Sequence, residues 1–396
     1  MRVLHVIPSV PHVRGGPSLV VMDMVKALRA NNIDAEIATT NDNGDYLLDV
    51  PLQKLVEYKQ VPIWFFSRFS PTVKLVREYA FSWQLTTWLW NNISQYDILH
   101  IHAVFSYAST MAMAIARRKN IPYIVIPHGL LSEWSLQQST YRKQIYMRLI
   151  EQANLNHSQA IHLTSKLEQQ EVAQLKLNAP SFVLPHGLSE PTPIFNARNL
   201  LRQHLQVAAD EPVILFLSRL HPKKGLDYLI PALGKLTHHR FTFAIAGSGS
   251  EEYEAEIESA LVANGIRDRT HFTGFVVGEI KNLLIQGSDL FALTSHAENF
   301  GLVVLEALAV GVPVLVTPGV ALAAVVQEHQ LGYVPQLDVL AIAKAVEEYL
   351  TYPQVGKDMG DRARQMIREQ YTWDKVAAKM VGIYQGIILN HNCCQL

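Results

Sequence analysis

Short apolar runs alternate with helix-like segments along the whole chain, and the alternation occurs in two separate series. The runs of the first series lie at 2–7, 34–40, 97–102 and 122–127. Those of the second series lie at 211–220, 241–247, 270–275, 289–295 and 313–317. Between them, apolar residues recur at the spacing of a helix face. Strands that alternate with helices are joined by right-handed crossovers and form parallel sheets. The sequence therefore predicts an α/β protein with two doubly wound, Rossmann-like domains.

The predicted boundary between the domains lies in 185–199, a stretch rich in proline and turn-forming residues. We expect a first domain over 1–190 and a second over 200–372, facing each other across a cleft. A last helix over about 373–389 is apolar enough to dock, and we expect it to pack back on the first domain. A length of 396 residues suits two domains of this size.

The composition excludes several classes of protein. Hydrophobic residues make up 49% of the chain and charged residues 17%, which is not the composition of a disordered or fibrous chain. The 34 basic and 35 acidic residues leave a net charge of −1, so the chain has no overall basic character. Because nucleic-acid binding needs a basic face, we expect no nucleic-acid partner.

The two cysteines indicate a reducing compartment, and the chain's uncharged stretch is too broken to span a membrane. Cys393 and Cys394 are adjacent, so neither ordinary disulfide geometry nor a zinc site is expected. Residues 307–326 carry no formal charge, yet glycines and prolines, beginning with Gly311 and Pro313, break them into short pieces. We expect no membrane span, no secretory signal and a cytoplasmic location.

Most of the unusual polar residues follow predicted strands. Ligands of open α/β sheets bind outside the carboxyl ends of the strands, so these residues predict a site at those edges. They are Arg14, Gly15 and Gly16, His100 and His102, His128, Arg219 with Lys223 and Lys224, Gly247 and Gly249, and the run 295–306.

Two cations of the second domain predict an anion site. Arg219 and Lys224 lie at the end of its first strand, just before a helix. Two positive side chains beside a helix N-terminus suit a diphosphate. The alternative is a pair of solvated loop charges, and the position at a strand end favours the anion site.

The strongest single signal is the segment 296–314, HAENFGLVVLEALAVGVPV. Glu306 falls in an apolar stripe, where an ionised carboxylate is costly unless it is hydrogen-bonded. The two O–H donors of a ribose would satisfy it. Glu298 precedes the predicted helix and could accept from the hydroxyls of a bound sugar, while the amides of 300–303 would point at phosphate. The alternative is one structural carboxylate that caps its own loop.

These motifs resemble those of the family 4 glycosyltransferases, which have the double-Rossmann architecture called GT-B. The resemblance extends over nearly the whole chain, and its most specific part is the 298–306 element combined with Arg219 and Lys224. The matching segments are Gly15-Gly16, DILHIH (97–102), PHGLL (127–131), LSRLHPKKG (217–225), IAGSG (245–249) and GVPV (311–314).

The resemblance implies a role for each motif of the second domain. Arg219 and Lys224 would bind the diphosphate of a nucleotide sugar, Glu298 the hydroxyls of its sugar, and Glu306 its ribose. It also implies transfer with retention of anomeric configuration, without a metal or other cofactor. The sequence has no Asp-x-Asp at a strand end to argue for a metal.

We therefore expect a catalytic set of His102, Glu298, Arg219 and Lys224. The expected donor-binding set is Gly16, Arg219, Lys224, Gly247, Phe275, Val276, Glu298, Asn299, Phe300, Gly301, Leu302, Val303 and Glu306. On the acceptor side we expect Gly15 and His128.

The two histidines of HIH share one face of the predicted strand, because side chains alternate along a strand. By the resemblance, the second histidine of such a motif lies near the transferred sugar, and His102 is nearer to the carboxyl end. We expect His102 in the site, as a base or as a positioning group, and His100 in packing. His128 follows another strand, where it lines the acceptor site or is a satisfied structural histidine.

Residues 61–90 combine several aromatic side chains with Arg68, Lys74 and Arg77. Aromatic residues beside basic ones suit an acceptor carried on a lipid diphosphate, and hence peripheral contact with a membrane. The alternative is an ordinary helix packed on its sheet, with aromatic residues in the loop, and it is favoured.

The predicted function is transfer of a hexose from a nucleotide sugar to a saccharide or polyprenyl-linked saccharide acceptor, in cell-surface polysaccharide synthesis. UDP-glucose is the expected donor, because uridine donors are common in the family that the chain resembles, and GDP-mannose is the alternative. Phe275 and Val276 are placed to contact the base. A GT-B epimerase or phosphorylase and a non-catalytic sugar-binding protein are the rival functions; the chain is short for a phosphorylase, and a binding protein does not need the anion site.

Overall fold

The chain forms two compact units. The structure, a computed structural model, describes residues 1–11, 15–71, 77, 79–138 and 140–393. The first unit consists of Met1–Gly187 and Trp373–Leu396, and the second of Leu188–Thr372. The chain first passes from one unit to the other within 185–199, the proline-rich stretch. The predicted ranges are 1–190 and 200–372.

The first unit is built on an eight-stranded sheet with a small antiparallel ribbon beside it. The sheet order is β10-β9-β8-β7-β1-β2-β6-β5, and all neighbours are parallel except β5 and β6. The strands are β1 (Arg2–Val6), β2 (Asp34–Thr40), β3 (Asp42–Asn43) and β4 (Tyr46–Leu47) of the ribbon, β5 (Leu55–Tyr58), β6 (Val61–Phe66), β7 (Ile98–His102), β8 (Tyr123–Ile126), β9 (Ala160–Leu163) and β10 (Ser181–Val183).

The second unit is built on a six-stranded, wholly parallel sheet. Its order is β13-β12-β11-β14-β15-β16. The strands are β11 (Val213–Leu217), β12 (Thr242–Ala246), β13 (Thr270–Gly274), β14 (Leu290–Leu293), β15 (Val314–Val316) and β16 (Gly332–Tyr333).

Helices connect the strands in both units. Those described in the first unit are α1 (Gly16–Ala30), α2 (Trp83–Asn92), α3 (Tyr107–Lys119), α4 (Glu133–Gln137), α5 (Thr140–Tyr146), continued by a π-helical turn (Met147–Glu151), α6 (Gln152–Asn156) and α7 (Lys166–Ala173). Those of the second unit are α8 (Ala197–Leu205), α9 (Leu226–Gly234), α10 (Glu251–Ala263), α11 (Gly278–Gly287), α12 (Leu302–Ala309), α13 (Ala323–Glu328), α14 (Val339–Thr351) and α15 (Pro353–Gln370). The last helix, α16 (Trp373–Cys393), belongs to the first unit.

Both sheets reverse their strand order beside their first strand. In the second sheet, counted from β11, the order is 3-2-1-4-5-6, which is the Rossmann order. In the first sheet β1 likewise lies between β2 and β7. These topologies confirm the predicted α/β fold with two Rossmann-like halves. They also place the reversal, where such sheets bind ligands, between β1 and β7 and between β11 and β14.

The central strands are apolar along their whole length because helices cover both faces of a parallel sheet. Every residue of β11, β12 and β14 is buried. The 61–90 stretch contains the expected helix, since α2 begins at Trp83 and buries Leu85 and Leu89, but it opens with a strand that the prediction lacks. Its first part is β6, which pairs with β2 on one side and with β5 on the other, so that its alternate side chains Ile63 and Phe65 are buried.

The C-terminal helix carries a buried polar contact to the first sheet. Tyr384 on α16 is fully buried, and its hydroxyl lies 2.7 Å from Nδ1 of His100 on β7. Burial raises the pKa of the Tyr384 hydroxyl well above its usual value, so the hydroxyl keeps its proton. The contact fastens the end of the chain to the middle of a sheet formed by residues far earlier in the sequence.

Tyr384→Phe should destabilise the protein by about 1–3 kcal/mol, because it leaves the buried Nδ1 of His100 without its partner. Urea unfolding of the variant measures this loss. Tyr352→Phe is the control, since the Tyr352 side chain is exposed. Equal stability of the two variants would contradict the importance of the contact.

Candidate active site

Loops at the carboxyl edge of the second sheet are joined by backbone hydrogen bonds. The loop after β11 meets the loop after β12, where the amide of Leu220 donates to the oxygen of Ser248 over 2.9 Å. The loop after β14 meets the loop after β15, where the amide of Glu298 donates to the oxygen of Gly319 over 2.8 Å. The loops that carry Lys224, Gly247 and Glu298 therefore converge at one edge of the second sheet.

Two glycines allow these loops to approach so closely. Gly225 has a φ of 73°, and a Cβ at this position would collide with the carbonyl oxygen of Thr294. Gly247 has a φ of 145°, and a Cβ there would collide with the oxygen of Ser218. Any side chain at either position would separate the loop after β11 from its neighbours, so the glycines serve the geometry of this edge.

Lys224 and Glu298 form an ion pair at this edge. Nζ of Lys224 donates to Oε2 of Glu298, and the two side chains are 14% and 20% exposed. The amide of Ala321 donates to the backbone oxygen of Glu298 over 3.0 Å, which fixes the residue in its loop. Arg219 is exposed nearby along the chain and has no ion-pair partner among the described residues. The structure thus pairs two residues to which sequence reasoning gave separate contacts.

The segment before α12 presents a helix N-terminus. Gly301 adopts a φ of 84°, and its oxygen accepts from the amides of Val304 and Leu305 over 2.9 and 3.2 Å. The amides of Leu302 and Val303 in the first turn have no partner within the helix itself. The remaining predicted residues of this segment, Asn299 and Phe300, lie in the loop before α12, and Phe300 is buried.

Glu306 is satisfied by a residue that sequence reasoning missed. Nζ of Lys281 on α11 donates to both carboxylate oxygens of Glu306 over 2.7 and 2.8 Å, and both side chains are 24% exposed. The carboxylate therefore has its hydrogen-bond partner within the chain, and its contact with a ribose stays a prediction. Lys281 lies in the first turn of α11, and the sequence gave no sign of its role because a lysine on a helix surface is ordinarily solvated.

Phe275 and Val276 follow β13 and line an open pocket of about 620 Å³ together with His204, Thr273 and Ile280. The Phe275 side chain is largely exposed, whereas Val276 packs partly against the core. Contact with a base stays a prediction.

In the first unit, a row of buried histidines lies along the carboxyl part of the sheet. His5 is on β1, His100 and His102 on β7, and His162 on β9. All four are fully buried or nearly so, and His128, which follows β8, is partly exposed. Because these strands are neighbours in the order β9-β8-β7-β1, residues distant in sequence form one cluster.

Hydrogen bonds join the histidines in two chains. In one, Nδ1 of His5 lies 3.0 Å from Nε2 of His102, and Nδ1 of His102 lies 3.0 Å from Nε2 of His128. In the other, Nε2 of His100 lies 3.3 Å from Nδ1 of His162, whose Nε2 lies 2.8 Å from the oxygen of Leu184. His100 and His102 stack between the chains, with ring centroids 4.7 Å apart.

The structure places the two predicted first-domain histidines differently. His102, expected in the site, is fully buried and both its ring nitrogens are hydrogen-bonded to other histidines. His128, whose Nε2 lies 3.0 Å from Nδ1 of His102, is partly exposed.

Gly15 has a φ of 86° and precedes α1, which begins at Gly16, while Arg14 lies outside the described residues.

Burial keeps these histidines neutral. It lowers the pKa of His5 and of His128 to about 3 and that of His162 to about 4. It also lowers the pKa of His100 and of His102 well below the usual value, with neighbouring histidines as the next cause. The imidazole rings of this cluster hydrogen-bond to one another in their uncharged form.

Two groups among the described residues bring three candidate metal ligands together. In the group of His5, His100 and His102, only Nε2 of His5 has no hydrogen-bond partner, so the set does not offer a metal three free lone pairs. The second group is exposed: Nε2 of His238 and of His239 lie 3.5 and 3.6 Å from one carboxylate oxygen of Glu347, as in a surface ion pair.

The aromatic stretch 61–90 offers little basic surface. Arg68 is buried and bonded to Asp42, and Arg77 is bonded to Asp45 over 2.8 Å. Lys74 lies outside the described residues. Trp83 and Trp90 on α2 are exposed. Within the described chain, no helix has the length and apolar character to cross a bilayer.

The fold is that of a double-Rossmann protein, and the carboxyl edge of its second sheet brings together Lys224, Glu298 and the N-terminus of α12. Comparison with known families agrees with this class. The family model described as glycosyl transferases group 1 matches residues 197–366, and the one described as glycosyl transferase 4-like domain matches residues 15–187.

Two curated relatives and one solved structure illustrate the likeness. An uncharacterized glycosyltransferase of Methanocaldococcus jannaschii is 33% identical over 46% of this chain and 47% of its own. A GDP-mannose-dependent alpha-(1-6)-phosphatidylinositol monomannoside mannosyltransferase of Mycobacterium tuberculosis is 30% identical over 48% of this chain and 51% of its own. The chain therefore spans about half the length of these relatives. The structure of Anabaena HepE in complex with UDP and glucose is 20% identical, with a TM-score of 0.75 over 98% of this chain and all of the other.

The chain thus belongs to the family 4-like glycosyltransferases of the GT-B fold. The two family models between them account for most of both units, and the solved structure has the same fold over nearly the whole chain. The resemblance read from the motifs is confirmed at this level.

The buried histidines should make stability depend on pH. Their pKa values are lower in the folded protein than the value of about 6.5 in an unfolded chain, so the unfolded state binds more protons below that pH. This contribution to the free energy of unfolding is fully present above about pH 6.5. As the pH falls from there towards 4, each buried histidine lowers the free energy of unfolding by about 1.4 kcal/mol per pH unit.

Urea unfolding at pH 7, 6 and 5 measures this dependence. His162→Gln should reduce the slope by one histidine's share, whereas His157→Gln, at an exposed position, should leave it unchanged. A free energy of unfolding that is constant between pH 7 and 5 would contradict the neutral, buried state of the cluster.

Proposed function

We propose that the protein transfers a hexose, with retention of anomeric configuration, from a nucleotide sugar to a saccharide or lipid-linked saccharide acceptor. The observation that carries the proposal is the carboxyl edge of the second sheet. Lys224, Glu298 and the N-terminus of α12 are brought together there, beside the strand reversal between β11 and β14. That edge combines a cation, a carboxylate and free amides, which match a diphosphate bonded to a sugar.

The diphosphate would bind through Arg219, Lys224 and the amides at the start of α12. Lys224 is already paired with Glu298. Its ammonium group would therefore contact both the diphosphate and the carboxylate of Glu298. Arg219 is exposed and can turn its guanidinium to the second phosphate. Because these cations would neutralise the charge on the leaving diphosphate, we propose that transfer needs no metal and no other cofactor.

Glu306 would accept hydrogen bonds from the ribose, with Lys281 holding its carboxylate in place. The bidentate contact with Lys281 fixes the plane of the carboxylate, and a carboxylate has lone pairs for further donors. The partial exposure of both side chains leaves the pair accessible to a ligand.

In the transfer itself, the bond from the anomeric carbon to the diphosphate oxygen breaks and a bond to the acceptor oxygen forms on the same face of the sugar. The acceptor proton passes to the departing diphosphate oxygen. Glu298 would bind the hydroxyls of the sugar and would favour positive character at the anomeric carbon. This assignment gives Arg219, Lys224 and Glu298 direct contact with reacting groups.

UDP-glucose is the donor that we favour, and GDP-mannose is the alternative. The solved Anabaena structure with the same fold contains UDP and glucose, while the mycobacterial relative is named as GDP-mannose-dependent. The base would stack on Phe275 and Val276 in the open pocket after β13. For the biological role we propose cell-surface polysaccharide synthesis in the cytoplasm, with exposed Trp83 and Trp90 available for peripheral contact with a membrane that carries the acceptor.

A thermal-shift screen of nucleotide sugars tests the proposal. A donor present at 100 times its Kd stabilises the folded state by about 2.7 kcal/mol, which raises the Tm measurably. Stabilisation by UDP-glucose and not by GDP-mannose is expected, and the reverse would transfer the assignment to the alternative. No stabilisation by any nucleotide sugar would overturn the function.

Arg219→Ala and Lys224→Ala should each weaken binding of UDP by about 1.5–3 kcal/mol, since each removes a charge-assisted contact. Isothermal titration calorimetry with UDP measures the loss. Lys235→Ala, which removes an exposed lysine at the end of α9, is the control. If all three variants bind UDP alike, the diphosphate does not bind at this edge.

Glu298→Gln and Glu306→Gln should differ in what they change. The ribose is bound equally in the ground and transition states, so loss of charge at Glu306 should raise the donor KM and weaken UDP binding, with kcat less affected. Loss of charge at Glu298 should lower kcat, while affinity for UDP, which has no hexose, stays nearly unchanged. Glu279→Gln, at an exposed position on α11, is the control. Equal weakening of UDP binding by the first two variants would refute this division.

A further inference from the structure

The chain of His5, His102 and His128 runs from the core of the first unit to its surface. His5 and His102 are fully buried, and His128 is partly exposed just after β8. Each of the two hydrogen bonds between them measures 3.0 Å. Since a neutral imidazole donates from one nitrogen and accepts at the other, the tautomer of one ring determines the tautomers of the others.

The buried end decides the direction of this chain. Nε2 of His5 is buried, and none of the residues that the structure describes hydrogen-bonds to it. A proton there would be a buried, unpaired N–H, which is rarer and less favourable than an unpaired acceptor lone pair. His5 therefore carries its proton on Nδ1 and donates to Nε2 of His102.

The direction then passes along the chain to the surface. His102 accepts at Nε2, so its proton is on Nδ1 and is donated to Nε2 of His128. His128 in turn accepts at Nε2 and keeps its own proton on Nδ1. Among the described residues, none accepts a hydrogen bond from Nδ1 of His128.

The neighbouring chain has the opposite tautomers. The backbone oxygen of Leu184 can only accept, so His162 donates to it from Nε2 and accepts at Nδ1. His100 therefore donates from Nε2 to His162 and accepts at Nδ1 from the hydroxyl of Tyr384. Two stacked histidines of one strand, His100 and His102, are thus held with their protons on different nitrogens.

We propose that His5 and His102 are positioning residues that hold His128 in the Nδ1–H tautomer, so that His128 donates a hydrogen bond to a sugar oxygen at the carboxyl edge of the first sheet. This rests on the proposed function. His128 lies where a ligand of such a sheet binds, two residues after β8, and its backbone has a φ of 51°.

A ring whose outward nitrogen carries a proton donates to a sugar oxygen and does not remove a proton from an acceptor hydroxyl. His128 then binds the saccharide, and the acceptor proton goes to the leaving diphosphate. His5 lies buried in an apolar strand and does not contact a ligand. It contributes to saccharide binding only through the rings of His102 and His128.

Nitrogen-15 NMR of the histidine-labelled full chain tests the tautomers directly, because the protonated and unprotonated nitrogens of an imidazole differ in chemical shift. We expect protons on Nδ1 of His5, His102 and His128 and on Nε2 of His100 and His162. A proton on Nε2 of His128 would overturn the proposal. This readout needs no substrate, so it separates failure of the tautomer assignment from failure of the proposed function, which the nucleotide-sugar screen decides.

Substitutions at His5 test the transmitted effect. His5→Leu removes the donor, so His128 should show a mixture of tautomers, and the acceptor KM should rise about three- to tenfold with the donor KM unchanged. His5→Gln supplies an amide N–H in its place and should restore the Nδ1–H signal and the KM. His162→Gln, in the other chain, should leave the His128 tautomer as it is.

A shifted His128 tautomer in His5→Leu with rescue by His5→Gln supports the relay. An unchanged His128 spectrum and acceptor KM in His5→Leu would overturn it, as would an equal change in His162→Gln. Circular dichroism of each variant identifies a general loss of folding, and if His5→Leu does not fold, the comparison of His5→Gln with the wild-type chain decides in its place: retention of the His128 tautomer is expected, and its loss overturns the proposal.

Discussion

The reversal of strand order beside β1 and β11 is the constraint on which the rest of the structure depends. At a reversal, successive crossovers leave towards opposite faces, so the loops after two neighbouring strands separate and leave room for polar groups at the strand ends. In the first sheet these neighbours are β1 and β7, which carry His5 and His102. In the second they are β11 and β14, whose following loops carry Lys224 and Glu298. Sheet topology therefore determines where polar groups can gather.

The two units satisfy their polar groups in different ways. In the second unit opposite charges pair, as Lys224 does with Glu298 and Lys281 with Glu306. The ligand proposed for that edge would exchange partners with an existing ion pair, so that little uncompensated charge would be exposed or buried during binding. In the first unit the histidines stay neutral and bond to one another, so the sheet buries polar rings without burying charge.

The sequence predicts the strands well where polar residues or glycines mark their ends, as at 211–220 and 289–295, and it predicts the family from the motifs that follow them. It does not predict Lys281, because its contact with Glu306 depends on α11 lying beside α12. It also does not predict the histidine cluster. A single histidine in an apolar strand is ordinarily a core residue, and His162 reaches His100 only because β8 alone separates their strands.

The return of α16 to the first unit makes that unit discontinuous in the chain, and this bears on the order of events during synthesis. The second unit is one continuous segment, Leu188–Thr372, and is complete before the ribosome has made Tyr384. Until then the first unit lacks its last helix, and the buried His100 lacks the hydroxyl that donates to it. Domains generally fold as units as they emerge, so the nascent first unit must wait, partly formed, while the inserted unit folds. A segment made after the second unit therefore completes the unit that was begun before it.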